Sequence, residues 1–454
     1  MIARRTFLSS IGFLALGAAG PAGALELVAN ARMRGSLDAG EQGLAPGSGG
    51  NQSKLFSRIA AKAAAQGLPL FLPPGTYQLS NVNLPENAHI TGVPGASRIV
   101  YAGEGHLFSA ENSPSLTLSG ISIDGANRWL ADYAGGLLRF RGIANLRLEN
   151  LDITGASKHA IQTGACGGRI AANRISGAAH AGVYAVDSKA LSIVENSVSG
   201  CGNGGILVHR GTKADDGTMI SGNRVSRISA TAGGTGENGN GINIFRADNV
   251  MVTGNHVTDC AFSAIRSNAG SNILMTGNQC LNSGETAIYS EFGFEGALVG
   301  NNIIDGAASG ILIVNFNEGG RLATVTGNIV RNLRLEGPYH NDGAGFGYGI
   351  AAEADTVISA NTIENAPRWG MVLGWGPYLR NIVASGNIIR QTPVGCAVSV
   401  VEGVGETLIS GNLFQDIRDE AIAGYRWNEK VTGDLVAGAD KDFARLTITG
   451  NRAA

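Results

Sequence analysis

Apolar and polar residues alternate over short stretches along most of the chain, and glycine, asparagine and serine separate these stretches. Leu116-Thr117-Leu118 and Ile242-Asn243-Ile244 show this period of two. Such alternation is typical of short β-strands and does not match the period of an amphipathic helix. The pattern therefore predicts an all-β chain of short strands and turns.

Two marks recur along the chain and define a repeat. The first is an asparagine followed two positions later by an apolar residue, and the second is a small residue followed by an apolar one. The asparagines are Asn173, Asn196, Asn223, Asn255, Asn278, Asn301, Asn328, Asn361, Asn387, Asn412 and Asn451, and eight of these eleven follow glycine. The apolar marks are Val183, Ile206, Ile242, Ile265, Ile288, Ile311, Ile350, Met371, Val398 and Ile422. The commonest spacings, 10 and then 13 residues, add to a repeat of 23.

A unit of this length cannot bury its own apolar face, but stacking on the next unit buries a continuous one. Stacked coils lie about 4.8 Å apart, so asparagines at one turn can hydrogen-bond from coil to coil. An antiparallel sandwich with Gly-Asn hairpin turns would not keep a fixed 23-residue spacing. The repeat therefore predicts a β-solenoid.

The N-terminal part of the repeat region has a distinctive order of elements. Residues 51–66 are predicted to form a short amphipathic helix, with Leu55, Ile59 and Ala63 on one face and Gly67 as its stop. The segments 72–77 (LPPGTY) and 123–125 (IDG) follow. With the Gly-Asn ladder, these features resemble the right-handed parallel β-helix proteins of the pectate-lyase-like superfamily. The resemblance implies a single-stranded right-handed parallel β-helix over residues 51–454, capped by the N-terminal helix.

The catalytic motifs of that superfamily are not carried over. Pectate lyases use an Arg-x-Pro-x-x-Arg motif, polygalacturonases use Asn-Thr-Asp and Gly-His-Gly, and alginate epimerases use Asp-Pro-His-Asp; these runs do not occur in the sequence. The resemblance therefore implies the fold and assigns no catalytic residue.

The first residues suggest export. Arg4-Arg5 precedes the apolar stretch 11–19 and the small residues 22–24, an arrangement that resembles a twin-arginine signal and a family of twin-arginine-translocated bacterial repeat proteins. The apolar stretch is about half the length that a membrane span needs. We expect a signal peptide at 1–24, a flexible linker at 25–50, and a periplasmic or secreted protein without a membrane segment after cleavage.

Charge and cysteine content exclude some partners. The 34 basic and 36 acidic residues are well mixed and give a net charge of −2, which is not the footprint of a nucleic-acid-binding protein. The five cysteines include no Cys-x-x-Cys pair, and the seven histidines show no metal-ligand spacing. We expect no metal or cofactor; calcium is left open, although no motif supports it.

The register predicts which side chains leave the helix on one face. In the strand that begins at the apolar mark, residues one and three positions later should point outward. The first outward column is Gln162, Tyr184, Leu207, Asn243, Arg266, Tyr289 and Leu312. The second outward column is Gly164, Val186, His209, Phe245, Asn268, Glu291, Val314 and Glu353. Two insertions, 227–240 and 335–349, precede this strand and are expected to wall one side of a groove.

The outward columns suggest an acid–base site. Arg266 and Tyr289 fall on adjacent coils, and Glu291 points the same way. An arginine beside a phenol favours the phenolate, so Tyr289 is a candidate base and Arg266 a candidate partner for a uronate carboxylate. This constellation predicts β-elimination of an acidic polysaccharide, with Arg266, Tyr289 and Glu291 as catalytic residues.

Further residues on the same face are candidates for contact with an oligosaccharide or polysaccharide. Arg210 and Arg246 fall in one column on adjacent coils, where they require an anion between them, either Asp215, Asp216 or Asp248. The predicted binding residues are Tyr184, His209, Arg210, Asn243, Arg246, Asn268, Glu353 and Trp375.

Two other functions stay open. Glu291 and Glu353 lie two coils apart in one column, roughly 9 to 10 Å, which is near the spacing of an inverting glycoside hydrolase. Alternatively, the protein is a non-catalytic cell-envelope protein that binds glycan or has a structural role.

Overall fold

The computed structural model describes residues 35–340, 343, 345–436 and 442–454. Each lap of the chain adds one strand to each of three long sheets, which contain 16, 15 and 15 strands. Neighbouring strands run parallel throughout, except in one C-terminal hairpin. This is the right-handed parallel β-helix that the repeat and the resemblance predicted. The predicted signal peptide and residues 25–34 lie outside the described residues.

Sheet 1 has 16 strands. In spatial order they are β1 (Leu37–Asp38), β2 (Leu70–Leu72), β5 (His89–Gly92), β8 (Ser115–Ser119), β11 (Asn145–Glu149), β14 (Gly168–Ala171), β17 (Ser192–Val194), β20 (Met219–Ser221), β23 (Met251–Thr253), β26 (Ile273–Thr276), β29 (Glu295–Gly300), β32 (Arg321–Thr326), β35 (Ala354–Ser359), β38 (Arg380–Ser385), β41 (Thr407–Ser410) and β45 (Leu446–Thr449).

Sheet 2 has 15 strands and contains the strands that begin at the apolar marks. They are β4 (Val82–Asn83), β7 (Phe108–Glu111), β10 (Gly136–Arg141), β13 (His159–Gly164), β16 (Ala181–Val186), β19 (Gly204–Asp215), β22 (Asn240–Asp248), β25 (Ile265–Asn268), β28 (Thr286–Glu291), β31 (Ser309–Ile313), β34 (Tyr348–Ala352), β37 (Trp369–Leu373), β40 (Val394–Ser399), β43 (Glu420–Arg426) and β44 (Glu429–Asp434).

Sheet 3 also has 15 strands. They are β3 (Gly75–Leu79), β6 (Ser97–Tyr101), β9 (Ser122–Asp124), β12 (Asp152–Thr154), β15 (Arg174–Ser176), β18 (Ser197–Ser199), β21 (Arg224–Ile228), β24 (His256–Cys260), β27 (Gln279–Leu281), β30 (Ile303–Asp305), β33 (Ile329–Arg331), β36 (Thr362–Glu364), β39 (Ile388–Arg390), β42 (Leu413–Gln415) and β46 (Arg452–Ala453).

The predicted capping helix is present as α1, Ser53–Ala65. Phe56, Ile59 and Ala63 are buried, and the Phe56 ring stacks on Phe108 of the first coils with 5.7 Å between the ring centroids. The helix thus covers the apolar interior that the first coil would otherwise expose. A 3-10 turn at Phe316–Glu318 is the other helical element of the described chain.

The ordered structure begins before the predicted boundary at residue 51. Strand β1 pairs with β2, and Ala39 and Leu44 are buried in the core. The described part of the predicted flexible linker is therefore packed against the first coil, because its apolar residues complete the cap together with α1.

An asparagine ladder runs through eleven coils. Each side chain donates a hydrogen bond from Nδ2 to the Oδ1 atom of the next asparagine at 2.9–3.0 Å, beginning with Asn173 and Asn196 and ending with Asn412 and Asn451. Each Oδ1 atom also accepts the backbone N–H of the preceding ladder asparagine. The ladder thereby satisfies buried backbone and side-chain groups at one corner of each of these eleven coils.

Two predicted repeat positions were wrong. The ladder residue of its coil is Asn302, which is 1% exposed, while Asn301 occupies the left-handed position with φ 56° where most coils have glycine. Asparagine tolerates that conformation. The pair Gly300-Asn301 therefore matched the Gly-Asn pattern, although the ladder residue is the next one along the chain. The apolar mark pairing with Met371 is Cys396; Val398 pairs with Leu373, two residues further along the same inward face.

The core lies between the three sheets and consists of the inward residues of every coil. The five cysteines are buried in it and form no disulfide. Strand β44 folds back antiparallel on β43 and so covers the last edge of sheet 2. Within the described ranges, no helix has the length and apolar character needed to cross a bilayer.

Candidate functional site

Sheet 2 aligns the outward columns as the repeat predicted. Tyr184, Leu207, Asn243, Arg266, Tyr289 and Leu312 are consecutive register partners in the first column. In the second column, His209, Phe245, Asn268 and Glu291 pair in the same way. Straight columns of this kind place chemically different side chains about 4.8 Å apart along the helix axis.

Arg266 is held in a buried ion-pair network. Its Nε and Nη2 atoms donate to the two carboxylate oxygens of Glu291 at 2.6 and 3.0 Å, and Nη1 donates to Glu285 at 3.0 Å. Asn268 also donates to Glu291, at 3.1 Å. Burial acts against the charged guanidinium, but the two carboxylates raise the pKa of Arg266 overall. The guanidinium is therefore already neutralised by the protein.

The environment of Tyr289 opposes the expected phenolate. Burial raises the pKa of Tyr289 well above its usual value, and Glu291 and Glu285 raise it further, while Arg266 lowers it less. The guanidinium of Arg266 lies over the face of the Tyr289 ring, 4.9 Å from its centroid. Its hydrogen bonds go to the two glutamates and not to the Tyr289 hydroxyl. The predicted activation of Tyr289 as a base is thus corrected, because burial and the two glutamates together outweigh the effect of the arginine on its pKa.

A cavity of about 270 Å³ opens beside this network on sheet 2, and we refer to it as the Glu353 cavity. Tyr289, Leu312, Ala351 and Val372, successive members of the first outward column, form its floor. The remaining lining residues are Glu285, Thr286, Ser309, Val314, Asn315, Tyr339, Gly343, Gly345, Phe346, Tyr348, Ala352, Glu353, Gly374 and Trp375. With Tyr289 of the floor, five lining side chains are aromatic, and no lysine or arginine occurs among the described lining residues.

Glu353 is the titratable group best placed for chemistry in this cavity. Burial raises its pKa to about 7, against the opposing effect of the backbone N–H groups of Phe316 and Asn315. The Phe316 N–H donates to Oε2 at 2.7 Å and fixes the carboxyl group. Near neutral pH the side chain is therefore present in both protonated and ionised forms, as a general acid or base requires.

The aromatic wall of the cavity comes from separate parts of the chain. Tyr348 stacks on Trp369 behind the wall, with 5.3 Å between the ring centroids. Trp375 lies edge-on to Trp427 of the C-terminal hairpin at 5.7 Å. These contacts hold the rings in place while leaving Tyr348 and Trp375 part of the lining.

The two insertions have different places in the structure. The second connects β33 to β34, and its Tyr339 donates a hydrogen bond of 2.7 Å from the hydroxyl to Glu285, which fixes it beside the cavity. The first connects β21 to β22 and closes over Arg266: a Cβ atom at Gly236 would lie only 1.9 Å from Nη1 of Arg266. The second insertion therefore walls the cavity, and the first covers the ion-pair network. Residues Asn341 and Asp342 of the second insertion lie outside the described residues.

Tyr184 and His209 belong to a separate aromatic stack on the N-terminal side. Tyr184 stacks on His159 with 4.6 Å between the ring centroids and meets His209 edge-on at 5.3 Å. Burial lowers the pKa of His209 to about 4 and, with the neighbouring His180, that of His159 to about 3. The two imidazoles are therefore neutral at physiological pH.

The other predicted binding residues are dispersed. Arg210 bonds Asp216 at 3.4 Å, while Arg246 is exposed and donates to the carbonyl of Gly211 at 3.2 Å, so no shared anion joins the two arginines. The strand shifts register between His209 and Ala214, which separates them. Asn243 is 5% exposed and lies between Leu207 and Arg266 in the first column.

The two glutamates of the predicted hydrolase pair, Glu291 and Glu353, lie in different environments. Glu291 is 3% exposed, has both oxygens bonded to Arg266 and does not line the cavity. Glu285 does line it, but it lies six residues from Glu353 along the strand direction, about 20 Å. Carboxyl groups that act as a glycosidase pair are about 5 to 9.5 Å apart, so Glu285 is too far from Glu353 to form one. Glu291 is not available for this role, because the ion pair with Arg266 occupies both of its oxygens.

Glu285 and Tyr339 were missed by the sequence analysis. Glu285 precedes the apolar mark Ile288 by three residues, and this odd spacing also points outward. A search of the columns on both sides of the mark would have found it. Its contact with Tyr339 joins residues 54 positions apart through a loop, and no periodicity encodes that. Among the described residues, no three His, Cys, Asp or Glu side chains are grouped as metal ligands.

Solved structures similar to this chain share its fold. The N-terminal fragment of gene product 12 of bacteriophage phi29 matches with a TM-score of 0.60 and 14% identity, over 91% of this chain and 76% of that one. The pre-mature form of that gene product matches with a TM-score of 0.55 and 14% identity over 89% of this chain, which spans only 56% of the phage protein. The A-module of mannuronan C-5 epimerase AlgE6 from Azotobacter vinelandii matches with a TM-score of 0.50 and 12% identity, over 92% and 99%.

Sequence comparison gives the family. No curated protein sequence matches the chain significantly. The family model of the right handed beta helix region matches residues 86–225 and 212–414, which is most of the chain. In agreement with its three parallel sheets, the chain belongs to the right-handed β-helix family.

Proposed function

We propose that the protein binds a carbohydrate in the Glu353 cavity. The observation that carries the proposal is the combination of a concave site lined by Tyr289, Tyr348 and Trp375 with the carboxyl group of Glu353, whose pKa burial raises to about 7. Aromatic faces pack against the apolar faces of sugar rings, and a carboxyl group bonds their hydroxyls. Ligand sites commonly have about 300–1,000 Å³. At about 270 Å³ this cavity lies just below that range, which fits a ligand as small as a mono- or disaccharide unit.

The lining favours a neutral sugar in this cavity over a uronate. Arg266 is the cation nearest to Tyr289, and Glu285 and Glu291 already occupy its donors. A uronate carboxylate would lie beside Glu285 and Glu353, and no lysine or arginine occurs among the described lining residues to compensate for its lost hydration. The acidic substrate expected for a lyase is thus not favoured at this position.

Acid–base catalysis by Glu353 is the second candidate function. Its pKa of about 7 supports proton transfer to or from a bound sugar at neutral pH. In this proposal Glu353 replaces Tyr289 as the reacting group, and Arg266, Glu291 and Glu285 are positioning residues. One structural neighbour is named as a mannuronan C-5 epimerase, which agrees with a carbohydrate ligand on this fold.

A panel of neutral and uronate oligosaccharides tests both candidates. Titration calorimetry on the wild-type protein and on Trp375→Ala and Glu353→Gln is expected to show binding of a neutral oligosaccharide that both variants weaken. New reducing ends would indicate hydrolysis, and ultraviolet absorbance of an unsaturated product would indicate elimination. Neutral-sugar binding that is unchanged in both variants would refute the cavity as the site.

The cellular location is part of the proposal. The twin-arginine pattern at Arg4-Arg5 supports export of the folded chain to the periplasm or the exterior, where polysaccharides are accessible. The partner is then an envelope or environmental glycan. Whether calcium contributes to binding is tested by repeating the titration with a chelator.

A further inference from the structure

A second concave surface lies on sheet 2 nearer the N-terminus, and we refer to it as the N-terminal groove. It has a volume of about 340 Å³, and its lining includes Arg139, Arg141, Gln162, Gly164, Tyr184 and Asp187. Tyr184 and Tyr289 share the first outward column and are four coils apart, so this groove is about 19 Å from the floor of the Glu353 cavity.

A missing side chain creates the groove. In the second outward column Gly164 stands between Arg141 and Val186. Because glycine has no side chain, the column has a gap there, and Arg141 extends along it: a Cβ atom at Gly164 would lie 3.7 Å from Cγ of Arg141. The backbone at Gly164 is not left-handed, so its conformation does not require glycine.

Arg141 supplies an uncompensated positive charge at this gap. Its side chain is exposed and forms no hydrogen bond or ion pair with any residue that the structure describes. Glu111 is its register partner, yet Glu111 bonds Arg139 instead, at 2.8 Å. Asp187, at the other side of the groove, accepts the Gly211 N–H at 3.2 Å and lies 4.0 Å from Arg210. The charges of Arg139 and Asp187 are thus compensated, and that of Arg141 is not.

Neutral hydrogen-bonding groups surround this charge. The Oε1 atom of Gln162 is buried and has no hydrogen-bond partner among the described residues. Tyr184 is stacked on His159 and so presents a fixed ring. His159 and His209 add no charge at neutral pH, because burial lowers their pKa values to about 3 and about 4.

The geometry points to the N-terminal groove as a binding site for the carboxylate of an acidic sugar unit, with Arg141 as its charge partner and Tyr184 as the ring contact. A planar guanidinium matches a carboxylate with two parallel hydrogen bonds. This inference rests on the proposed carbohydrate-binding function and extends it. The two sites would hold different units of one heteropolysaccharide, a neutral unit in the Glu353 cavity and an acidic unit in the groove.

Calorimetric titration with an oligogalacturonate, and with a neutral galactan oligosaccharide of equal length, tests the inference. Arg141→Ala is expected to weaken oligogalacturonate binding by roughly tenfold or more, because a charge-assisted hydrogen bond is lost. Gly164→Val fills the gap without removing charge and is expected to weaken the same binding. The matched control is Arg174→Ala, which removes an exposed arginine of sheet 3. Added salt should weaken binding to the wild type more than to Arg141→Ala.

The outcomes separate the two proposals. Oligogalacturonate binding that depends on Arg141 and Gly164, without any neutral-sugar binding, supports the groove and refutes the Glu353 cavity. Oligogalacturonate binding that is lost in Trp375→Ala but kept in Arg141→Ala refutes the groove. Failure of the wild-type protein to bind oligogalacturonate at low salt also refutes it. Circular dichroism and thermal midpoints that match the wild type show that each variant is folded.

Discussion

At the scale of single residues, the carboxyl group of Glu353 makes the stability of the folded protein depend on pH. Burial raises its pKa to about 7, so the folded protein keeps this proton over a range in which the unfolded chain has lost it. Ionisation in the folded state therefore costs free energy, and this group lowers stability as the pH rises from about 4.5 through about 7.

Glu353→Gln should remove that dependence, because glutamine keeps an acceptor for the Phe316 N–H and does not titrate. We predict that the variant gains thermal stability relative to the wild type between about pH 5 and about pH 8. Scanning calorimetry at both pH values measures the difference. Glu402→Gln, at an exposed position, is the control and should show no such gain. Equal pH profiles for Glu353→Gln and the wild type would contradict the raised pKa.

Arg266 should matter for stability more than for ligand binding. Arg266→Met leaves Glu285 and Glu291 buried without their cation, and we predict a loss of about 3–5 kcal/mol in the free energy of unfolding. The triple variant Arg266→Met, Glu285→Gln, Glu291→Gln should recover much of that loss, since no buried charge remains. Chemical denaturation measures both. A triple variant no more stable than the single one would show that unpaired charge is not the cause.

The sequence placed Arg266, Tyr289 and Glu291 correctly beside one another, because strand periodicity determines which side chains share a column. It assigned the wrong electrostatics to them. The pKa of Tyr289 depends on its burial and on Glu291 and Glu285. Glu285 is held by Tyr339 of the second insertion, and no repeat encodes that contact. The positions of these side chains were thus predictable from strand periodicity. The protonation state of Tyr289 was not, because it depends on contacts that the loops make.

At the scale of elements, the asparagine ladder gives a sharp test of the register. Asn302→Ala removes a side chain that donates to Asn328 and to the Met275 carbonyl and accepts from Asn278. Several buried groups lose their partners, so we predict a loss of about 2–4 kcal/mol. Asn301→Gly should be nearly neutral, because glycine suits the left-handed backbone there. Thermal denaturation of both variants measures the two losses of stability. A larger loss for Asn301→Gly than for Asn302→Ala would refute the assignment of Asn302 to the ladder.

The elements themselves were largely predictable, since the 23-residue repeat and the capping helix follow from local pattern. The two register errors had a local cause. Asn301 and Asn302 are consecutive asparagines, and Val398 is apolar at a position two residues after Cys396, so each coil offered two candidates for one mark. Coil stacking selects between them, because only one candidate in each coil lies opposite the corresponding mark of the neighbouring coil.

At the scale of the whole molecule, the proposed binding of an envelope or environmental glycan requires export of the chain. We predict that replacing Arg4 and Arg5 by lysine strongly reduces the amount of protein outside the cytoplasm, because the twin arginines are the feature that the export route reads. Cell fractionation with immunodetection measures it. Unchanged export of the double variant would contradict the assignment of the signal.

The central claim is that sheet 2 binds carbohydrate at the Glu353 cavity. A crystal structure of the protein soaked with the neutral oligosaccharide that binds best tests this most directly. We predict electron density for a sugar ring against Trp375 and Tyr348, with a hydroxyl in hydrogen-bonding distance of Glu353. Density for the sugar on another face, with the cavity holding only water, would contradict the account.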